Sequence, residues 1–426
     1  VNIQAEPVFY YYSYLPLVMG EVAVVHMDLM SKGGGEAVCM NVLEALQDDH
    51  DVTLITLTDP DIGALNEYFN TDVDDLTVRR AGWIAPTINE AFGIRYYVLQ
   101  NALLGRYARR HADEYDLLFS TINELGLESD SIQYIHFPFD WTVSLDNREH
   151  IFHPTVEEES FYERVCTRIA GVTRSDIRTN TLLANSEWTA DVVEDAYGTR
   201  PRVLYPPIDT DEFSNRPLDE REDGLVTVGR IERSKRIDEM IRIVDGVRER
   251  GYDTHLHVIG PTVDEEYYAE VEALADEREY VYLEGELPRS ELIERICTHK
   301  YGIHGKEYEH FGMAVAELAA GGAIPFVPST GGQHAIVRDR DEQLYESRSD
   351  AIEKIVRVID DPALQRNLRM NAAEIERRFG RERFKAEVTE IVEDALSRPS
   401  ERLSMESTGS TGATRRAARA TTRTDD

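Results

Sequence analysis

The chain is predicted to form two doubly wound α/β domains with a ligand crevice between them. Three observations predict this. Short apolar runs alternate with helical stretches along most of the 426 residues, the pattern of parallel strands joined by crossover helices. That length suits two cores better than one. The proline pair Pro206-Pro207 separates two such series and reads as a hinge.

Each element follows from its residues. The apolar run over 22–26 is the first strand, the loop Ser31-Lys32-Gly33-Gly34-Gly35 follows it, and a helix spans 36–46. Further strands are expected over 52–57, 116–120, 132–136 and 182–185. The second series opens with a strand over 225–229, then a helix over 237–250 and a strand over 256–259 stopped by Gly260-Pro261. Strands over 281–283, 301–303 and 323–327 continue it, and helices over 350–359, 362–378 and 382–397 end the fold. The aromatic, proline-broken residues 1–18 read as a disordered extension or a spurious upstream reading, with Met19 a candidate start. Residues 19–207 and 208–380 then form two Rossmann-like domains, 381–398 a helix packing back on the first, and the Ser/Thr/Arg-rich residues 399–426 a disordered tail.

Composition bounds the setting. Asp and Glu number 80 against 46 Lys and Arg, a net charge of −34. Lysine is limited to Lys32, Lys235, Lys300, Lys306, Lys354 and Lys385. An acidic, lysine-poor chain repels itself in dilute solution and is screened in concentrated salt, so a halophilic, archaeal cytoplasm is expected. No broad basic face is visible, which disfavours nucleic-acid binding. Cys39, Cys166 and Cys297 are odd in number and widely spaced, fitting buried thiols in a reducing compartment. No apolar run approaches the length of a spanning helix.

Ligands of such sheets bind at strand C-termini. Arg230 and Lys235 follow the strand over 225–229, and two cations there can grip a diphosphate and neutralise a departing one. Glu309-His310-Phe311-Gly312-Met313 leads into a small-residue helix carrying Glu317. Gly312 permits close backbone approach, and the helix start offers N–H groups to an anion. Glu317 can accept from a ribose, and Glu309 from sugar hydroxyls. Gly34 and Gly35 let a phosphate or acceptor approach the first helix; no Gly-Lys-Ser/Thr follows, so this is not a P-loop. His136 ends a strand and so points into the crevice. The loop Ser329-Thr330-Gly331-Gly332 is similarly placed. D-x-D pairs such as Asp209/Asp211 are cheap in so acidic a chain and carry no metal reading.

From about residue 22 to 396 these pieces resemble the retaining GT-B glycosyltransferases of family 4. Tyr134-Ile135-His136-Phe137-Pro138, Asn185-Ser186-Glu187-Trp188-Thr189, Tyr205-Pro206-Pro207, Gly302-Ile303-His304 and Glu309-His310-Phe311-Gly312 look like the α-1,2-mannosyltransferases of asparagine-linked glycosylation. The resemblance implies transfer of a hexose, mannose from GDP-mannose, to a lipid-linked or glycan acceptor, with retention and without a metal or other cofactor. It makes His136, Arg230, Lys235 and Glu309 catalytic. Gly34, Gly35, Arg230, Lys235, Phe311, Gly312, Met313 and Glu317 would bind the donor. A lipid-linked acceptor would require peripheral attachment to the inner face of the membrane. The stretch 92–111, with Arg106, Arg109 and Arg110, offers an aromatic, basic helix for it; a core helix with a basic end explains the pattern equally. Two other readings stand: a UDP-sugar transferase for glycolipid or surface polysaccharide, and a non-catalytic sugar-nucleotide-binding protein.

Overall fold

The structure is a computed structural model that describes residues 19–74, 76–81, 94–127, 131–138, 161–171, 174–214 and 216–398. The expectations for 1–18 and 399–426, and for the start of the basic stretch 92–111, fall outside those residues.

The first domain carries β1 (Glu21–Val25), β2 (Asp51–Thr56), β3 (Thr77–Arg80), β4 (Leu117–Ser120), β5 (Ile132–Ile135), β6 (Thr181–Ala184) and β7 (Arg202–Val203). They pair in the order β3-β2-β1-β4-β5-β6-β7, all parallel. Its helices among the described residues are α1 (Gly34–Leu46), α2 (Ile62–Phe69), α3 (Ile94–Arg110), α4 (Phe161–Ala170), α5 (Arg174–Arg178) and α6 (Glu187–Tyr197). The second domain runs β8 (Glu222–Val228), α7 (Ile237–Glu249), β9 (Leu256–Ile259), α8 (Glu265–Asp276), β10 (Val281–Gly285), α9 (Arg289–Thr298) and β11 (His299–Ile303). It continues through α10 (Met313–Ala320), β12 (Ile324–Pro328), β13 (Leu344–Tyr345), α11 (Arg348–Asp360), α12 (Pro362–Leu368) and α13 (Ala372–Phe379). A last helix, α14 (Arg381–Leu396), follows. The second sheet is ordered β10-β9-β8-β11-β12-β13, again parallel.

Both central strands are buried on both faces, which is why they read as continuous apolar runs. In β1, Val22 and Val24 pack in one core while Ala23 and Val25 pack in another. In β8, Leu225 and Val226 divide in the same way. The strand order reverses between β1 and β4 and between β8 and β11, so each sheet has its crevice at those C-terminal ends.

Helix α14 returns to the first domain. Phe384, Val388, Ile391 and Val392 join the core built on Val22 and α1. Arg381 fastens the crossing by donating to Asn41 Oδ1 at 3.2 Å and Glu44 Oε2 at 3.1 Å. The three cysteines are buried.

Two differences from the sequence reading have physical causes. Strands β3, β7 and β13 escaped notice because they are short edges, and β3 (Thr77–Arg80) is polar and largely exposed. The single helix expected over 362–378 is two. Arg369 turns extended, Met370 is buried, and the Asn371 side chain caps α13 by accepting from the Glu374 N–H. In α3, Ala102, Leu104 and Ala108 are buried in the domain core, as the core-helix alternative expected. No helix among the described residues is long and apolar enough to cross a membrane.

Candidate functional site

At the C-terminal end of β8, the chain passes Gly229 and Arg230 and winds through a 3-10 turn over Arg233–Lys235. That turn folds Lys235 back over the strand end. Its Nζ donates to Glu309 Oε2 at 2.9 Å, with the two side chains only 17% and 12% exposed. His304, which follows β11, places Nε2 3.2 Å from the same oxygen. Lys306 Nζ is 3.5 Å from Oε1, and the His310 N–H donates to Oε1 at 3.2 Å. Burial pushes the Glu309 carboxyl up, but Lys235, His304 and Lys306 outweigh it and hold the group well below the usual carboxylate range. Glu309 is therefore an anion at any working pH, with all four acceptor positions engaged.

Arg230 stands apart from this pair. It is 63% exposed, 3.7 Å from Glu232, and shares with Gly229, Lys235 and His304 the lining of a small cavity at the strand ends. A long cation in solvent is free to close on an incoming anion.

Gly312 starts α10 with φ +98, a left-handed backbone that a side chain would strain, and no side chain caps the helix. Its first N–H groups are thus left for an anion. Met313 and Glu317, four residues apart, share a face of α10. Glu317 Oε1 accepts from Arg289 Nη1 at 2.6 Å, and Arg289 also donates to Glu212 at 2.9 Å, so Glu317 is held in an arginine-centred group separate from Lys235 and Glu309. Phe311 is 2% exposed and packs edge-on to Phe379, centroids 5.3 Å apart. Its ring serves the core, and only its backbone can meet a donor.

The first domain faces this cluster with its glycine loop. A Cβ at Gly34 would stand 2.7 Å from Met313 Sδ, so the two domains touch here and a side chain at this position would push the Met313 thioether aside. A Cβ at Gly35 would stand 3.4 Å from His136 Nε2. His136 Nε2 lies 3.1 Å from the Thr121 carbonyl, which can only accept. The neutral ring therefore carries its hydrogen on Nε2 and keeps Nδ1 as an acceptor for a hydroxyl. Burial pushes His136 down to about 4, which keeps it neutral.

Two features escaped the sequence reading. His26, just past β1, lies 3.5 Å from Glu36 Oε1 and 2.9 Å from Thr121 Oγ1. Burial works to lower His26, but Cys39 and Glu36 overcome it and raise the ring to about 10. Glu36, pushed up by burial and pulled down by His26 and Ser31, settles at about 2. Glu36 also accepts from Ser31 Oγ at 2.6 Å and the Gly33 N–H at 2.7 Å, so this ion pair fixes the glycine loop to the strand end. The second feature is an aromatic clasp across the domains. His310 stacks on Phe137 with centroids 4.6 Å apart and lies parallel to Trp188 at 6.0 Å, while its carbonyl accepts from Ser186 Oγ at 2.5 Å. These residues stood in the quoted motifs, but their roles depend on contacts across more than 100 positions.

Of the three arginines near the C-terminal end of α3, Arg106 and Arg110 are exposed. Arg109 is turned onto the carbonyls of Leu125, Gly126 and Ala170, a structural duty.

The titrations give a stability prediction. His136 and His310, depressed by burial to about 4 and about 3, take up protons from 6.5 downward only in the unfolded chain. The unfolded state then binds more protons, so stability falls as pH falls from about 6.5 towards 4. His26 behaves oppositely: its raised pKa contributes below 6.5 and is lost as pH rises towards 10. The melting temperature in molar KCl should therefore decline on both sides of neutrality. His310→Asn should flatten the acid arm and His26→Gln the alkaline arm; unchanged arms in both variants would refute these assignments.

Residues 209–375 match the family model "Glycosyl transferases group 1". Relatives described as "GDP-Man:Man(3)GlcNAc(2)-PP-Dol alpha-1,2-mannosyltransferase" include that of Xenopus laevis, 25% identical over 226 residues, 48% of this chain and 46% of the relative. The Homo sapiens protein is 26% identical over 235 residues, 50% of this chain and 48% of its own length. The Dictyostelium discoideum protein is 20% identical over 379 residues, covering 76% and 74%. The chain thus spans about half the length of the first two relatives it matches. Among solved structures, Anabaena HepE in complex with UDP and glucose superposes with a TM-score of 0.62 at 14% identity, covering 88% of this chain and all of that one (100%). WaaG, a glycosyltransferase involved in lipopolysaccharide biosynthesis, gives 0.61 at 16%, covering 89% and 100%. Two parallel sheets in this arrangement are the GT-B fold of two Rossmann-like domains.

Proposed function

We propose that the protein is a retaining hexosyltransferase that moves mannose from GDP-mannose to a lipid-linked or glycan acceptor. The observation that carries the reading is the buried Lys235–Glu309 pair at the strand ends of the second domain, facing the Gly34–Met313 contact with the first. The group 1 match over 209–375 and the mannosyltransferase relatives support it.

In this reading Lys235 keeps one N–H on Glu309 and turns the others to the donor pyrophosphate. Arg230 closes on it from solvent, and the start of α10 faces its oxygens. Glu317 accepts from the ribose. Glu309 takes a hydroxyl of the transferred sugar in place of Lys306, its longest contact at 3.5 Å. His136 Nδ1 accepts from another hydroxyl. The bond from the anomeric carbon to the phosphate oxygen breaks as the acceptor hydroxyl attacks that carbon from the same face. The hydroxyl proton passes to the departing phosphate, so configuration is retained and GDP leaves. Fixed cations stabilise the charge that grows on the leaving group, without a metal ion.

The UDP-glucose complex of HepE, a neighbour in fold, keeps a UDP-sugar donor as the second reading. The net charge of −34 supports a concentrated-salt milieu for this chain. The test is product analysis in molar KCl with GDP-mannose and UDP-hexoses, a polyisoprenyl-linked acceptor and a chelator. An α-linked mannoside formed despite the chelator is expected. An inverted product would overturn the mechanism, and donor binding without transfer would favour a non-catalytic protein.

A further inference from the structure

At the opposite end of the second sheet, where the strands begin, lies a group unconnected with sugar transfer. From its position near Glu222 to the donor site beyond Val228 is about 20 Å along β8. Among the described residues, one set of three or more His, Cys, Asp or Glu side chains is placed to share a metal ion: His255, His257 and His299. One ligand atom from each lies within 4.8 Å of the others. The ring centroids form a near-equilateral triangle, with separations of 5.1, 5.0 and 4.7 Å.

The sheet order builds this group. His255 and His257, two positions apart, lie at the start of β9, and His299 opens β11. Strand β8 runs between them, and it carries Gly224 where the ring of His255 crosses over: a Cβ there would stand 2.2 Å from His255 Nε2. The missing side chain lets His255 reach His299 across an intervening strand, Nε2 to Nε2 at 2.9 Å. A hydrogen-bonded pair accounts for that distance, and two nitrogens bound tetrahedrally at about 2.0–2.1 Å to one ion would stand about 3.3 Å apart, so a small parting of the rings admits the ion.

The outer contacts favour the ion. His257 Nδ1 lies 2.5 Å from Glu284 Oε1, so Nδ1 carries the hydrogen and Nε2 the lone pair. His299 Nδ1 lies 2.7 Å from the Arg295 carbonyl, which likewise leaves the lone pair on Nε2. A histidine held by a carboxylate or carbonyl through its second nitrogen is the usual outer arrangement of a metal ligand. A fourth donor is present. Glu222 Oε2 lies 3.7 Å from His255 Nε2 and 3.9 Å from His299 Nε2. His299 is fully buried, while His255 and Glu222 are 22% and 59% exposed, which leaves an entry from solvent. Arg295 contacts Glu284 at 3.2 Å.

We propose that His255, His257, His299 and Glu222 form a structural site for a divalent cation of the zinc class. Three imidazoles and one carboxylate suit such an ion better than magnesium or calcium, which take oxygen. The ion would join β8, β9 and β11 at their starts, and its presence does not bear on the donor site.

The test uses the full chain in molar KCl, stripped with a chelator and titrated with Zn²⁺ and Co²⁺. The expected result is one tightly held ion per chain, a raised melting temperature, and the visible absorption of four-coordinate cobalt. His255→Gln, at a part-exposed position, should abolish the cobalt spectrum. Glu284→Gln should weaken affinity about tenfold or more through the lost support of His257. Absence of stoichiometric binding would overturn the proposal. So would a cobalt spectrum unchanged in both variants, which would trace the metal to other histidines.

Discussion

Replacing Lys235 with alanine is expected to lower turnover about 10²–10³-fold while the chain remains folded. The magnitude follows from the loss of one fixed charge aimed at a leaving group in a water-poor site. The ammonium is only 17% exposed, so water replaces it poorly. Removing one partner of a buried ion pair often unfolds a protein, because the remaining charge is stranded. Here Glu309 keeps His304 at 3.2 Å, the His310 N–H at 3.2 Å and Lys306 at 3.5 Å. Steady-state rates and a melting curve on the same sample separate the two effects. A loss under tenfold with an intact fold would remove Lys235 from the chemistry.

Transfer from molar KCl into dilute buffer is expected to unfold the native chain. Eighty acidic residues face 46 basic ones. The Debye length grows from about 3 Å at 1 M salt to about 30 Å at 0.01 M, so repulsion that was confined to neighbours then spans the molecule. The surface pairs cannot compensate. Arg200 alone serves Glu187, Asp191 and Glu194, and solvent screens such exposed pairs so that each adds little. Circular dichroism across a KCl series measures this. A melting temperature that stays level down to millimolar salt would contradict the concentrated-salt reading.

The central strands were legible because both faces of each are buried, leaving unbroken apolar runs such as Val22–Val25 bounded by turn residues. The edge strand over Thr77–Arg80 was not, since one polar edge carries no such run. Glycine and cation positions at strand ends, Gly34 and Lys235 among them, could be named from the sequence. Their partners could not: Lys235 meets Glu309 across 74 positions, and the domain contact pairs Gly34 with Met313. His26 looked like the end of a strand, because its partner Glu36 looked like one more acid in an acidic chain. His299 joins His255 and His257 only because β11 lies beyond β8, a neighbourhood that no local spacing reveals.

The most direct test of the account is calorimetric titration of the native chain with GDP-mannose and with UDP-hexoses in molar KCl. The account predicts saturable binding of a nucleotide sugar at one site per chain, competed by the free nucleoside diphosphate. If no nucleotide sugar binds the folded protein under those conditions, a diphosphate held by Lys235 and Arg230 between the two domains is contradicted.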